Sequence, residues 1–166
     1  MALFSTALAW TLDNWEDPTH EYKIEPDAPP GAFAIAGVNS VENAVAYHLI
    51  AAAEQDERAP LVSHFYQNAF WNQWLEQLTS DELAKRVFDA AVNMGSFAAV
   101  ECLQRSLRIS ADGHWGPITL DAANSAMPAY AVLSFKQERS SYYDKIIADK
   151  PQDEKYRDNW RKRALK

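Results

Sequence analysis

One carboxylate in this 166-residue chain stands where acid chemistry is expected. Glu16 follows Trp15 and precedes Asp17-Pro18, at the point where helical periodicity gives way to an acidic, proline-studded stretch reaching Ala36. A carboxyl group partly desolvated against an indole, near the carbonyl end of a helix dipole, favours its protonated form. Such a group can donate a proton to a leaving oxygen. Glu21 and Glu25 in the same stretch are competing carboxylates, read as solvated loop charges.

The elements that must hold this group follow from periodicity and punctuation. Phe4, Leu8, Leu12 and Trp15 recur at helical spacing, so residues 3–15 read as an amphipathic helix. Pro18 ends it and pushes Asp17 out of the α region, leaving Glu16 at the terminus. Gly is scarce (5 of 166) and nearly every apolar run has helical period, which predicts an all-α protein of seven to eight helices in a single globular unit. Ser40 is read as the N-cap of a helix through about Asp56, with Val41, Val45, His48, Leu49 and Ala52 on one face. Pro60 opens an aromatic-rich segment, Phe65, Phe70, Trp71, Trp74 and Leu75, that ends near Leu78.

Thr79-Ser80-Asp81-Glu82 reads as a capping box for a helix that turns Leu83, Val87, Phe88 and Ala91 inward and stops at Gly95. Asp89 and Asn93 fall four apart on a neighbouring face. The following helix carries Phe97, Val100, Leu103, Gln104 and Leu107. Asp112-Gly113-His114-Trp115-Gly116-Pro117 is then an Asx-type turn, with Gly113 at positive φ and Pro117 in the first turn of a short helix to about Asn124. Helices from about Pro128 to Ala148 and from about Asp153 to Ala164 are expected, with Pro151 between them.

Composition narrows the classes of function. With 48% hydrophobic and 12% aromatic residues, the chain can bury a substantial core. The net charge of −7 is uneven: residues 1–60 carry ten Asp/Glu against two Lys/Arg, and residues 136–166 carry six against ten. An acidic front half disfavours nucleic acid as a partner. Cys102, the only cysteine, cannot form an intramolecular disulfide and is read as a small buried hydrophobe. Four scattered histidines, His20, His48, His64 and His114, give no metal-ligand spacing, and the adjacent pair His20-Glu21 lacks partners to ligate a cation, so no metal and no cofactor are expected. Met1 to Trp10 lacks a basic leader region, and no apolar stretch is long enough to span a bilayer; no export signal and no stable membrane insertion are expected.

Three strings then carry a resemblance. Val87-Phe88-Asp89-Ala90-Ala91-Val92-Asn93-Met94-Gly95, the run Ala98 through Leu103-Gln104-Arg105-Ser106-Leu107, and Asp112-Gly113-His114-Trp115-Gly116-Pro117-Ile118-Thr119-Leu120 resemble the C-terminal signature of the glycoside hydrolase family 108 N-acetylmuramidases. Arg139-Ser140-Ser141-Tyr142-Tyr143 and Asn159-Trp160-Arg161-Lys162-Arg163 resemble that family's closing helices, and Tyr66 with Trp71 its paired aromatic stretch. The resemblance implies a lysozyme-like all-α fold, with a catalytic part over residues 1–78 and a peptidoglycan-binding-like part over residues 79–166. It implies an endolysin-type enzyme that cleaves the β-1,4 bond between N-acetylmuramic acid and N-acetylglucosamine. Its partners would be bacterial peptidoglycan and other phage virion or lysis proteins. It would be phage-encoded and located in the host cytoplasm before lysis or on the virion, acting on the cell wall.

Trp15-Glu16-Asp17-Pro18 resembles a variant of the family's catalytic motif, so Glu16 inherits the acid role and Asp27 that of the second carboxylate. The two would divide proton donation from oxocarbenium stabilisation or water activation, with a separation of ~5 Å or ~9 Å distinguishing retaining from inverting chemistry. Trp71 and Trp115 read as sugar-stacking platforms or as core, and the resemblance adds Tyr66 and Asn93 to the substrate-binding set. The stretch Asp27-Ala28-Pro29-Pro30-Gly31-Ala32-Phe33-Ala34-Ile35 departs from the family's Gly-Gly, Thr and Gly-Ile. Ala32 is the best match for the threonine, a slipped alignment brings in Ser40 instead, and Gly37-Val38 is a displaced Gly-Ile. A catalytically degenerate wall-binding or virion structural protein of the same fold is the alternative.

Overall fold

The computed structural model describes residues 1–166, which form nine α-helices and one small three-stranded sheet. The all-α expectation holds for the architecture as a whole. The chain divides into two compact units, Phe4–Trp71 and Met1–Leu3 with Asn72–Lys166.

In the first unit, α1 (Phe4–Thr11) runs on into a π-helical turn, Leu12–Glu16, in which the Asp17 amide reaches back five residues to the Leu12 carbonyl at 3.1 Å. Ala7, Leu8, Thr11 and Leu12 are buried along this segment. Such wide turns insert one residue into the helical ladder and re-aim the side chains that follow. The helix therefore ends at Glu16, where the sequence places its end.

Beyond it, the acidic stretch is not plain loop. β1 (Glu25–Asp27), β2 (Ala32–Ile35) and β3 (Val38–Asn39) pair antiparallel in the order β1-β2-β3, with Asp27 opposite Ala32 and Ile35 opposite Val38. Strands of two to four residues leave no measurable alternation, so periodicity does not reveal them. Gly31 and Gly37, at φ +92° and +76°, make the turns that fold the strands back.

A helix over Ala44–Ala51, α2, follows. Its buried residues are Tyr47 and Ile50, whereas Val41, Val45, His48 and Leu49 face solvent. The face grouped from sequence is thus the outward one, and the helix starts at Ala44 rather than after Ser40, whose side-chain oxygen instead accepts from the Phe33 amide at 2.9 Å. α3 (Arg58–Phe70) buries Arg58, Val62 and Tyr66. The Arg58 guanidinium donates to the Tyr22 carbonyl at 2.9 Å and the Ala53 carbonyl at 3.2 Å, tying the 17–22 turn to the helix.

The aromatic-rich segment does not run unbroken to Leu78. It stops at Phe70, and α4 (Gln73–Glu76) starts again because the Asn72 side chain accepts from the Trp74 and Leu75 amides at 3.0 and 3.1 Å.

In the second unit, α5 (Asp81–Met94) is capped by Ser80, whose hydroxyl accepts from the Leu83 amide at 3.2 Å. The expected capping box does not form: Ser80 and not Thr79 is the cap, so Glu82 falls one position short of the reciprocal place and pairs with Lys85 and Arg86. α6 (Ser96–Ser106) and α7 (Pro117–Ser125) follow, then α8 (Pro128–Asp149) and α9 (Arg157–Leu165), joined by a 3₁₀ turn at Pro151–Tyr156. α8 buries Ala131, Phe135, Arg139, Tyr143 and Ile147, one residue every four, on a single face. Cys102 is fully buried in α6, and burial pushes its thiol up to about 11, so it serves as core. No helix is long and apolar enough to cross a membrane.

Candidate functional site

In the Phe4–Trp71 unit, the π turn delivers Glu16, half-buried, to the bare Cα of Gly37. A Cβ built on Gly37 would collide with Glu16 Oε2 and lie 2.6 Å from the Tyr66 hydroxyl oxygen. Glu16, Gly37 and Tyr66 therefore converge on one point, and Gly37 combines the positive φ its turn needs with the space the carboxyl group occupies. Tyr66 is 1% exposed and donates its hydroxyl to the Ala36 carbonyl at 2.8 Å. Enclosed in this way, its ring offers no face to a sugar. Trp71 is half-buried and packs its indole on the Phe4 ring, with centroids 5.7 Å apart.

Asp27 ends β1 with its side chain exposed, and both oxygens are held: Oδ1 accepts from the Ala28 amide and Oδ2 from Asn39 Nδ2, each at 2.8 Å. Asn39 is 5% exposed and fully used, since it also donates to the Ala28 carbonyl and accepts from the Val41 and Glu42 amides. Sequence reasoning passed over Asn39. A lone Asn closing the apolar run Ala32 to Val38 is the one signal that could have found it. Opposite Asp27 stands Ala32, 3% exposed and without a hydroxyl.

The competing carboxylates are occupied elsewhere or placed outside this arrangement. Glu21 pairs with Lys23 at 2.8 Å, and that contact holds its carboxyl below the usual range; Glu25 lies exposed in β1. Asp17 organises the turn after the helix, accepting from the Tyr22 amide at 2.8 Å and the Glu21 amide at 3.3 Å. That leaves His20 and Tyr22 at φ +53° and +50°, with His20 hydrogen-bonded to Asp13 at 2.5 Å. No three His, Cys, Asp or Glu side chains are grouped to hold a metal ion.

The second unit explains why the Leu-Gln and Asp-Gly strings occur together. Gln104, 2% exposed on α6, is the template of the 112–119 turn: its amide nitrogen donates to Asp112 Oδ1 at 2.7 Å, to the His114 carbonyl at 3.0 Å and to Thr119 Oγ1 at 3.1 Å. Its oxygen accepts from the Gly113 amide at 2.9 Å. Gly113 sits at φ +71° with the Phe97 ring packed onto it, in the place a Cβ would need. Trp115 is half-buried beside the turn.

The His114 amide and Gln104 hold the Asp112 carboxyl below its ordinary value of 3.8. A carboxylate depressed in the folded state stabilises above its unfolded value and loses that contribution as pH falls through the folded one. The melting temperature of wild type over Asp112→Asn should therefore show an advantage at pH 6 that shrinks as pH drops through 3.8 and below. A gap constant from pH 6 to pH 2.5 would remove the charge from the account of this turn.

Asn93, placed by sequence among the sugar contacts, belongs to a structural cluster. Its Oδ1 accepts from the Tyr143 hydroxyl, and burial pushes that phenol above its ordinary range, so it stays protonated. The Tyr143 hydroxyl oxygen in turn accepts from Arg139 Nε at 3.3 Å. Arg139 donates to Asp89 at 2.7 Å with both side chains buried, and Arg163 from α9 donates to the other oxygen of Asp89 at 2.8 Å. Trp160 stacks on Tyr143, with ring centroids 5.1 Å apart.

Residues 98–165 match a family described as a predicted peptidoglycan domain. The match, over α6 to α9, supports a link to peptidoglycan for that part of the chain. Among solved structures it is similar to that of SagA from Brucella abortus, with a TM-score of 0.64 and 18% identity over 98% of this chain and 93% of that one. At this identity the likeness shows a shared fold. No curated protein matches the chain.

Proposed function

We propose that this protein is a peptidoglycan hydrolase, an N-acetylmuramidase of the endolysin type resembling glycoside hydrolase family 108, with Glu16 as its general acid. The observation that carries the reading is the convergence of Glu16 on the bare Cα of Gly37 beside a buried tyrosine hydroxyl. A solvated surface glutamate needs neither a reserved cavity nor a π turn to place it. The peptidoglycan match over residues 98–165 supplies the substrate class.

In this reading, protonated Glu16 gives its proton to the glycosidic oxygen as the bond to the anomeric carbon breaks. Asp27, fixed by Asn39 and its own loop, stabilises the oxocarbenium charge or takes a proton from the incoming water. The protein would act on the cell wall, reached through a phage lysis system or from a virion, with peptidoglycan as its partner.

A second reading, a wall-binding or virion structural protein without turnover, is favoured by one observation. Ala32 faces Asp27 where the resemblance expects a threonine, and the nearby Ser40 oxygen is engaged by the Phe33 amide.

The test is incubation of the purified protein with purified peptidoglycan, followed by analysis of the soluble fragments. New reducing ends on muramic acid are the expected result. Sedimentation with the wall and no new ends would establish the second reading, and reducing ends on N-acetylglucosamine would move the cut to the other bond.

A further inference from the structure

The resemblance groups Tyr66 with residues that touch sugar, yet its side chain is 1% exposed, and its oxygen meets the same point as the Glu16 carboxyl. Both groups lie in the Phe4–Trp71 unit, so their placement depends on that unit alone. A phenol has one proton to donate. Here it goes to the Ala36 carbonyl at 2.8 Å, the residue directly before Gly37. While it does, the oxygen presents lone pairs elsewhere, which suits a neutral carboxyl that can itself donate.

Once Glu16 has given its proton away, the requirement reverses: a new carboxylate needs a donor. The Tyr66 hydroxyl can supply one by rotating about its C–O bond, because Ala36 and Glu16 border the same glycine. An interaction that strengthens as charge develops lowers the barrier, whereas one made equally in the ground state does not.

We propose that Tyr66 is a positioning residue for the acid. Its hydroxyl serves the Ala36 carbonyl while Glu16 is protonated and turns to Glu16 as the carboxylate forms, keeping its own proton throughout. Gly37 is the condition for this, since any side chain there would occupy the place where the two oxygens meet. The proposal rests on the muramidase reading given above.

The experiment compares wild type with Tyr66→Phe and with 3-fluorotyrosine placed at position 66, a stronger donor of nearly the same size. Turnover is assayed on soluble peptidoglycan fragments at a temperature where each form is folded by circular dichroism. Tyr66→Phe should lower kcat about tenfold with KM unchanged, the loss of one hydrogen bond made late in the reaction. The fluorinated form should keep or exceed the wild-type kcat.

A kcat within twofold of wild type in the Phe form, or a rise in KM with kcat intact, overturns the proposal. If the Phe form does not fold, the fluorinated form decides alone: a kcat reduced by fluorination overturns it. An inactive wild type overturns the muramidase reading instead, so the two failures are told apart.

Discussion

Glu16→Gln should cut the proposed muramidase turnover by orders of magnitude and leave wall binding intact: this is the largest effect on activity expected from a single substitution. Gln has the size and hydrogen-bonding reach of Glu but no proton to release, so it isolates the acid role from the packing of the carboxyl group against Gly37. General acid catalysis contributes about 10²–10⁴-fold, and kcat should fall by an amount in that range. The melting temperature should stay close to that of wild type, because the amide can occupy the same space. The rate is read from new muramic-acid ends, and binding from sedimentation with insoluble wall. Retention of more than a tenth of the activity would remove Glu16 from the chemistry and turn attention to Glu25, since Glu21 is already paired with Lys23.

The largest effect on stability is expected at Asp89. Its carboxylate is fully buried between two guanidiniums, Arg139 at 1% exposure and Arg163 at 11%. Replacing such a pair by apolar residues can be neutral, because taking charges out of water costs nearly what their attraction returns. Removing one partner is a different matter. Asp89→Ala leaves two positive charges facing each other in the interior, with the Arg139–Tyr143–Asn93 contacts strained beside them. Breaking a buried pair costs about 3–5 kcal/mol, and for a protein of this size that corresponds to a melting temperature lower by roughly 10 °C. Thermal unfolding followed by circular dichroism measures it. A drop under about 2 °C would mean that water reaches the cluster and that the charges are solvated in the native state.

Helix positions were legible where punctuation was strong. Ser80, Gly95, Gly113 and Pro117 each do what their residue type dictates, and the turn they frame stands where the sequence puts it. Faces were less legible than positions. α2 packs through Tyr47 and Ile50, a choice set by its neighbours and not by its own periodicity, and Val45 ends at 88% exposure.

The sheet was missed because β3 has two residues, too few to alternate. Of the candidate site, the position of Glu16 could be read from Trp15 and Pro18, and Gly37 was visible only as a displaced motif. The role of Asn39 and the enclosure of Tyr66 depend on contacts between residues 11 to 30 positions apart, which no local pattern encodes. Asp89 and Asn93 were seen as neighbours on a helix, but their partners on α8 lie 50 residues further on.

That separation bears on the order in which the second unit assembles. Asp89 meets Arg139 across 50 residues and Arg163 across 74. Contacts this distant in sequence are slow to form, because the entropy of closing the intervening chain must be met first. α5 and α6, joined directly through Gly95, are the local pair that can form first, with Asp89 still hydrated on their surface. Docking α8 and α9 in that order would strip that water away and make the cluster a late check on register: a closing helix shifted by one residue would bury the carboxylate without its guanidiniums.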